Sequence, residues 1–379
     1  MEELGIYVHI PFCKQKCYYC DFISYADKEN KMEEYINALK KEIEYKKDKL
    51  KEKEITTIYI GGGTPSYLNE KYIEQIVNTI KENYNLTIDC EITIEVNPGT
   101  VTEEKLTKYK NVGINRLSIG LQTTNNELLK QIGRIHTFEQ FLDTYKLARK
   151  VGFNNINVDL MLALPNQTIK DLEESVNEVI ELNPEHISVY SLILEENTKL
   201  EQMVNEGKVN LLSDEIERQM YWKVKELLEE NKFIHYEISN FAKEGYESKH
   251  NVNCWNQKEY IGFGIASHSY IDSIRFSNII NLENYIKNIE DNNFEKNIII
   301  EEKQDEENKM KEYMILGLRK IDGVSIQKFK NKFVENPIFK YYKELEKLTK
   351  EDLVEIDDDK IKLTKKGLDL ANIVWQEFV

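Results

Sequence analysis

The run Ile6-Tyr7-Val8-His9-Ile10-Pro11-Phe12-Cys13-Lys14-Gln15-Lys16-Cys17-Tyr18-Tyr19-Cys20 decides how this 379-residue chain is read. Its first half is rich in β-branched and aromatic residues, which predicts a strand over Gly5–Ile10. Its second half sets three thiols, Cys13, Cys17 and Cys20, within eight positions on one loop. Three thiolates at these spacings can wrap three corners of a 4Fe-4S cube and leave the fourth iron open to a chelating small molecule. A zinc site is the alternative; it needs a fourth ligand to close a tetrahedron, and His9 stands close by in sequence. Cys90 and Cys254 stand alone, so the five cysteines form no disulfide framework, and a triple cluster in a reducing compartment points to metal or catalysis.

Outward from that loop, short β-branched runs alternate with amphipathic stretches. Further strands are predicted at Thr56–Ile60, Glu91–Val96, Asn115–Leu121, Asn155–Leu162 and His186–Leu192. Helices are predicted at Lys31–Leu50, Glu70–Asn83, Glu103–Tyr109, Asn126–Ile132, Phe138–Lys150 and Lys170–Leu182. Such alternation implies an α/β fold with a parallel sheet. Six units are too few for a closed eight-fold barrel, which leaves a partial barrel or a doubly wound sheet. Both place ligands at the carboxyl ends of strands, where the cysteine loop and Gly61-Gly62-Gly63-Thr64-Pro65 fall. Glycines without β-carbons there let the backbone approach a ligand closely.

Residues 1–205 are read as this α/β unit. A long charged helix, Asp214–Asn231, opens a second segment, 206–300, whose irregular part Phe233–Tyr270 is expected to cover the open side of the sheet. A third, 301–379, predicts helices at Lys303–Ile321 and Pro337–Thr349, then an acidic-tipped hairpin and a final helix from Lys366. This is a mostly helical, winged-helix-like pattern.

Hydrophobic residues make up 41% and charged residues 31%, which suits a globular protein with substantial cores. The 67 acidic residues against 51 basic ones give a net charge of −16, which disfavours a phosphate backbone or an anionic bilayer as general partner. Nucleic acid is not expected as a partner. The start Met1-Glu2-Glu3-Leu4-Gly5 lacks a positive n-region and no apolar stretch is long enough to span a bilayer, so a cytoplasmic protein is expected.

The cysteine loop with its preceding Tyr-x-His-Ile-Pro-Phe resembles the radical S-adenosylmethionine (SAM) superfamily. Within it, the chain resembles the branch that contains the oxygen-independent coproporphyrinogen III dehydrogenases (HemN) and the HemW heme chaperones. Two further strings carry the likeness: His250-Asn251-Val252-Asn253-Cys254-Trp255, similar to the HemW string His-Asn-x-x-Tyr-Trp, and Tyr260-Ile261-Gly262-Phe263-Gly264-Ile265-Ala266-Ser267-His268. Cys254 departs from the expected tyrosine, which leaves any role of that tyrosine open. Phe22 stands where the dehydrogenases have a further cysteine, and six residues precede Tyr7 where they carry a long extension. Both differences favour the HemW side.

The resemblance implies a partial (β/α)6 barrel and a 4Fe-4S cluster on Cys13, Cys17 and Cys20. It also implies SAM at the open iron, in a pocket of Tyr7, Gly62, Gly63, Thr64, Glu95, Gln122, Arg134, Asp159 and Ile193, with Tyr19 beside the cluster. It implies heme as a third cofactor, with His250 and Trp255 as candidate contacts. The function implied is heme delivery to acceptor hemoproteins, respiratory ones with transient visits to a membrane face, by a monomer or dimer. Oxidative decarboxylation of coproporphyrinogen III is the alternative.

Overall fold

The computed structural model describes residues 2–379. Six parallel strands form its centre: β1 (Glu2–Ile10), β2 (Lys53–Gly62), β3 (Asn85–Val96), β4 (Arg116–Gln122), β5 (Ile156–Leu162) and β6 (His186–Ser191). The connecting helices are α1 (Met32–Lys46), α2 (Glu70–Asn83), α3 (Glu103–Asn111), α4 (Asn126–Gln131), α5 (Phe138–Val151) and α6 (Ile169–Glu181). Capping boxes Thr137/Gln140 and Thr168/Asp171 fix the starts of α5 and α6 by satisfying the first free amides. This is the expected α/β partial barrel.

One strand face is apolar and packs under the helices. Ile6, Val8, Ile58, Ile60, Ile92, Ile94, Leu117, Ile119, Val158 and Leu160 are buried there against Ile36, Leu39, Ile76, Ile80 and Phe141. The alternate positions point inward and are polar, because successive strand residues face opposite sides. Thr57 and Tyr59 on β2 pair in register with Glu91 and Thr93 on β3; Ser118 on β4 pairs with Glu95 and with Asn157 on β5.

Beyond β6 lie α7 (Lys199–Asn205), α8 (Asp214–Glu230), β7 (Ile234–Glu237), β8 (Asn240–Ala242), α9 (Lys249–Trp255), β9 (Tyr260–Phe263), β10 (His268–Ile271), β11 (Ile274–Asn278), α10 (Leu282–Glu290) and β12 (Ile298–Lys303). The sheet order is β12-β11-β10-β9-β1-β2-β3-β4-β5-β6-β8-β7. The segment Phe233–Tyr270 thus does not form an irregular cover over the open side. It adds antiparallel strands beside β6 and a parallel strand, β9, beside β1. Strands of three or four residues are too short to show alternation, so their pattern was illegible.

Between those strands, α9 closes the amino-terminal end of the barrel. Glu91 accepts the amides of Lys249 and His250 (both 3.3 Å), an anion at a helix N-terminus. Tyr236 accepts from the Ser248 amide (3.3 Å) and bonds His186 (2.7 Å).

The C-terminal part is α11 (Glu306–Gly317), β13 (Val324–Ser325), α12 (Ile326–Phe333), α13 (Pro337–Lys340), α14 (Tyr342–Lys350), β14 (Val354–Ile356), β15 (Lys360–Leu363), α15 (Lys365–Asp369) and α16 (Ala371–Gln376). Its helices surround a small sheet, β13-β15-β14, over a second core of Met314, Leu318, Phe329, Leu345, Leu348 and Val374. Two main-chain hydrogen bonds staple it to β7: Ile238 donates to Arg319 and Ile321 to Tyr236 (3.1 Å each). The Arg319 guanidinium lies 4.4 Å from the centre of the Trp255 ring and 5.0 Å from that of Trp375. Lys303, predicted helical, ends β12, and the helix begins three residues later behind its Asp305 cap.

A buried ion pair ties α1 to the β9–β11 extension. Glu42 accepts from Lys46 (2.7 Å), the Gly264 amide (2.9 Å), Asn278 (2.7 Å) and Tyr285 (2.6 Å). Removing one member of a buried pair strands the other charge. Glu42→Ala is expected to lower the urea unfolding free energy by about 3–5 kcal/mol, with Glu42→Gln/Lys46→Met losing less.

Candidate functional site

The carboxyl ends of the strands surround a cleft of about 400 Å³. Cys13, Cys17, Cys20, Tyr19, Gly62, Gly63, Thr64, Glu95, Gln122, Arg134 and Asp159 all line it. Residues up to 146 positions apart in sequence are therefore brought to one place by the parallel sheet.

Main-chain bonds hold the cysteine loop on the glycine turn. Gly63 donates to Ile10 and Thr64 to Phe12, both at 2.8 Å. A β-carbon on Gly63 would stand 2.9 Å from the Phe12 carbonyl oxygen and 3.0 Å from Cys13 Sγ. Gly62 has φ +111°, and a β-carbon there would meet the His9 ring at 2.6 Å. Both positions need glycine.

The thiols sit in a mixed field. Burial pushes Cys20 up to about 11 and raises Cys13 as well. Against that, Thr64 Oγ1 donates to Cys13 Sγ (3.5 Å) and Arg134 Nη1 to Cys17 Sγ (3.6 Å). Such thiols become thiolates when a cationic metal core lies between them, and the donor set fits one. Among the described residues, no three His, Cys, Asp or Glu side chains stand close enough together to hold a single metal ion. His9 is spent elsewhere: its Nε2 donates to the Ile23 carbonyl (2.8 Å), its Nδ1 bonds the Tyr7 hydroxyl (3.0 Å), and burial lowers it to about 4. The zinc alternative thus loses its nearest fourth ligand, whereas three thiols facing an open cleft fit an iron–sulfur cluster with one free vertex.

Arg134 is clamped by the Gly120 carbonyl (2.5 Å) and Asn97 Oδ1 (3.0 Å), while Asn97 Nδ2 donates to Thr64 (3.0 Å). Glu95 accepts from Tyr59 (3.0 Å) and the Gly62 amide (3.1 Å); burial, then the neighbouring Asp159, pushes it up to about 7. Asp159 accepts from Asn157 (2.7 Å) and Ser118 (3.2 Å), and burial raises it. Gln122 holds a left-handed backbone, φ +74°, at the bulge ending β4. A strained residue at a strand end facing a cleft is a functional marker.

Four expected residues lie elsewhere. Tyr7 is inside the barrel behind Tyr59, their ring centres 6.3 Å apart. Ile193 follows β6 and is 65% exposed, so it is neither core nor cleft wall. His250 is 8% exposed at the closed end, its Nδ1 bonded to Thr57 (2.9 Å), and burial lowers it to about 4. Trp255 packs on Arg319 at the C-terminal junction. Conversely, Tyr59, Asn97, Ser118, Met161 and Tyr190 line the cleft without having been singled out. Alternate residues along β2 and β6, on the face of Thr57 and Ser188, reach Tyr59 and Tyr190.

Fold and cleft together define a radical SAM protein. The radical SAM superfamily matches residues 7–179 and the HemN C-terminal domain matches 304–370. The heme chaperone HemW of Lactococcus lactis is 38% identical over 98% of this chain and 96% of its own length. The HemW of Bacillus subtilis is 38% identical over 98% of both chains. The solved coproporphyrinogen III oxidase HemN of Escherichia coli superposes with a TM-score of 0.86 at 23% identity, covering 100% of this chain and 90% of that one. The chain belongs to the HemW family.

Raised to about 7 from an ordinary 4.5, folded Glu95 holds its proton where the unfolded chain has lost it. Stability therefore falls as pH rises through that window, by about 3 kcal/mol in all. Between pH 4.5 and 8, urea unfolding of the apoprotein should show this decline in wild type and a flatter profile in Glu95→Gln.

Proposed function

We propose that this chain is a heme carrier on a radical SAM scaffold. It would hold a 4Fe-4S cluster through Cys13, Cys17 and Cys20, SAM beside it, and heme that it delivers to acceptor hemoproteins. The observation that carries the cofactor half is the convergence of three thiols and Gly62, Gly63, Thr64, Glu95, Gln122, Arg134 and Asp159 on one cleft. The heme half is supported by relatives named heme chaperones that align along nearly the whole chain.

Each cleft group has a chemical use in that reading. A cluster held by Cys13, Cys17 and Cys20 would leave one iron as a Lewis-acidic seat for SAM. Arg134, a rigid cation with Nη1 aimed at Cys17, offsets negative charge beside the cluster. Glu95 and Asp159 offer acceptors to hydroxyl-bearing parts of a nucleoside. Tyr59, Tyr190 and Met161 exclude water on the inner side.

Respiratory acceptors, visits to a membrane face, a cytoplasmic location and a monomer–dimer equilibrium belong to the same proposal. Among the described residues no helix is long and apolar enough to cross a membrane. The placement of His250 favours a structural role for its imidazole over axial ligation of heme.

After anaerobic reconstitution, about four irons and four sulfides per chain are expected, and Cys17→Ser should lose the cluster. Heme titration should give a saturable Soret shift, and loaded protein should pass heme to an apo-hemoprotein. Release of carbon dioxide from coproporphyrinogen III with SAM and a reductant would replace this reading with the dehydrogenase one.

A further inference from the structure

The long sheet has two ends, and they are finished differently. At the β7 end the C-terminal part supplies the Ile238–Arg319 and Ile321–Tyr236 main-chain bonds, so that edge is paired. At the other end β12 pairs with β11 alone, and among the described residues no main-chain bond reaches the outer side of Ile298–Ile300. An edge strand offers a row of unpaired amides and carbonyls, which proteins blunt with bulges and charges. On β12 those devices occupy the carboxyl half: a bulge between the Arg275–Glu302 and Phe276–Ile300 pairs, then Glu301, Glu302 and Lys303.

The amino half is bare. Ile298, Ile299 and Ile300 run in regular register with Asn278, Ser277 and Phe276, and Ile299 and Ile300 are 48% and 53% exposed. Ile298 and Ile300 wall an apolar groove of about 250 Å³ with Leu50, Ile271 and Phe276, whereas Ile299 faces the opposite side of the sheet. Both faces are therefore apolar at this edge, where a solvated antiparallel strand would alternate with polar residues.

The edge is complementary to itself. When two β12 strands pair antiparallel, the register with Ile299 opposite Ile299 sets Ile298 opposite Ile300 of the second copy, so every isoleucine meets an isoleucine. A slip of one residue either way sets an isoleucine against Glu301 or Asn297. Charge selects the same register. Glu302, whose neighbours are the neutral amides of Asn308 (3.3 Å) and Gln304 (3.4 Å), comes opposite Lys296 of the second copy, just beyond the strand. Lys296 is exposed and forms no ion pair among the described residues. The acids of the two copies fall at opposite ends of the ladder and do not face each other.

We propose that β12 is the surface through which two copies of this chain associate, joining their sheets antiparallel about a two-fold axis at Ile299. It assigns a surface to the monomer–dimer equilibrium of the heme-carrier reading, on which it rests, and uses none of the cofactor groups. A single strand pair makes a small interface, so the dimer is weak, with Kd on the order of 10 µM.

Sedimentation of the full chain between about 2 and 200 µM tests this, in salt that screens the −16 charge of each copy beyond about 8 Å. The average mass should rise from 44.8 kDa toward twice that value. Ile299→Lys changes an exposed side chain, so it should keep its circular dichroism and remain monomeric. Lys296→Glu sets like charges opposite each other at two symmetric places and should weaken association about tenfold, and adding Glu302→Lys should restore it. A wild type that is monomeric throughout, an Ile299→Lys variant that associates as wild type does, or a double variant no tighter than Lys296→Glu overturns the proposal. Iron, sulfide and heme content report on the carrier reading separately, so its failure is read from different measurements.

Discussion

Two main-chain hydrogen bonds, Gly63 to Ile10 and Thr64 to Phe12, are the contact on which the cleft depends. They extend the pairing of β1 and β2 past the sheet, so the cysteine loop and the glycine turn become one surface. No side chain could sit at Gly63 without pushing that surface apart. Arg134 then fastens the end of β4 to it, with Gly120 and Asn97 on one side of the guanidinium and Cys17 on the other. The cleft is therefore held by backbone geometry and one planar cation, an arrangement that preorganises charge before any ligand enters.

The opposite polarity of the two sheet faces follows from the same topology. Helices cover the outer face, and there Ile, Val and Leu alternate along every strand. Inside, Thr, Tyr, Glu, Arg, Asn and His must satisfy one another. The result is a web running from Glu95 through Asp159, Asn157 and His186 to Tyr236. Such webs specify a unique interior when complete and are costly where a member lacks its partner.

Much of this was legible in sequence because the signals were local. The cysteine spacing, the glycine run and the strand–helix rhythm each occupy fewer than about twenty residues. Eight of the ten residues carried over for the SAM pocket, with the three cysteines, meet at the cleft, and no residue of His250–Trp255 does. What stayed hidden was relational. His250 and Trp255 sit in a recognisable string, yet only tertiary structure shows that α9 turns the imidazole toward Thr57 and the indole toward Arg319. Phe233–Tyr270 appeared irregular because its strands borrow their order from β1 and β6. Asn97 lies two residues beyond Glu95, but its use depends on Arg134, 37 residues away.

The seam between barrel and C-terminal part has an optical consequence. Two of the three tryptophans, Trp255 and Trp375, flank the same guanidinium, one from each side of the seam. Trp222 spans the same seam, its indole N–H donated to Asp369 of the C-terminal part, so any sliding of one part over the other changes the surroundings of Trp222 and Trp255. The protein carries a built-in fluorometer for the seating of its own tail.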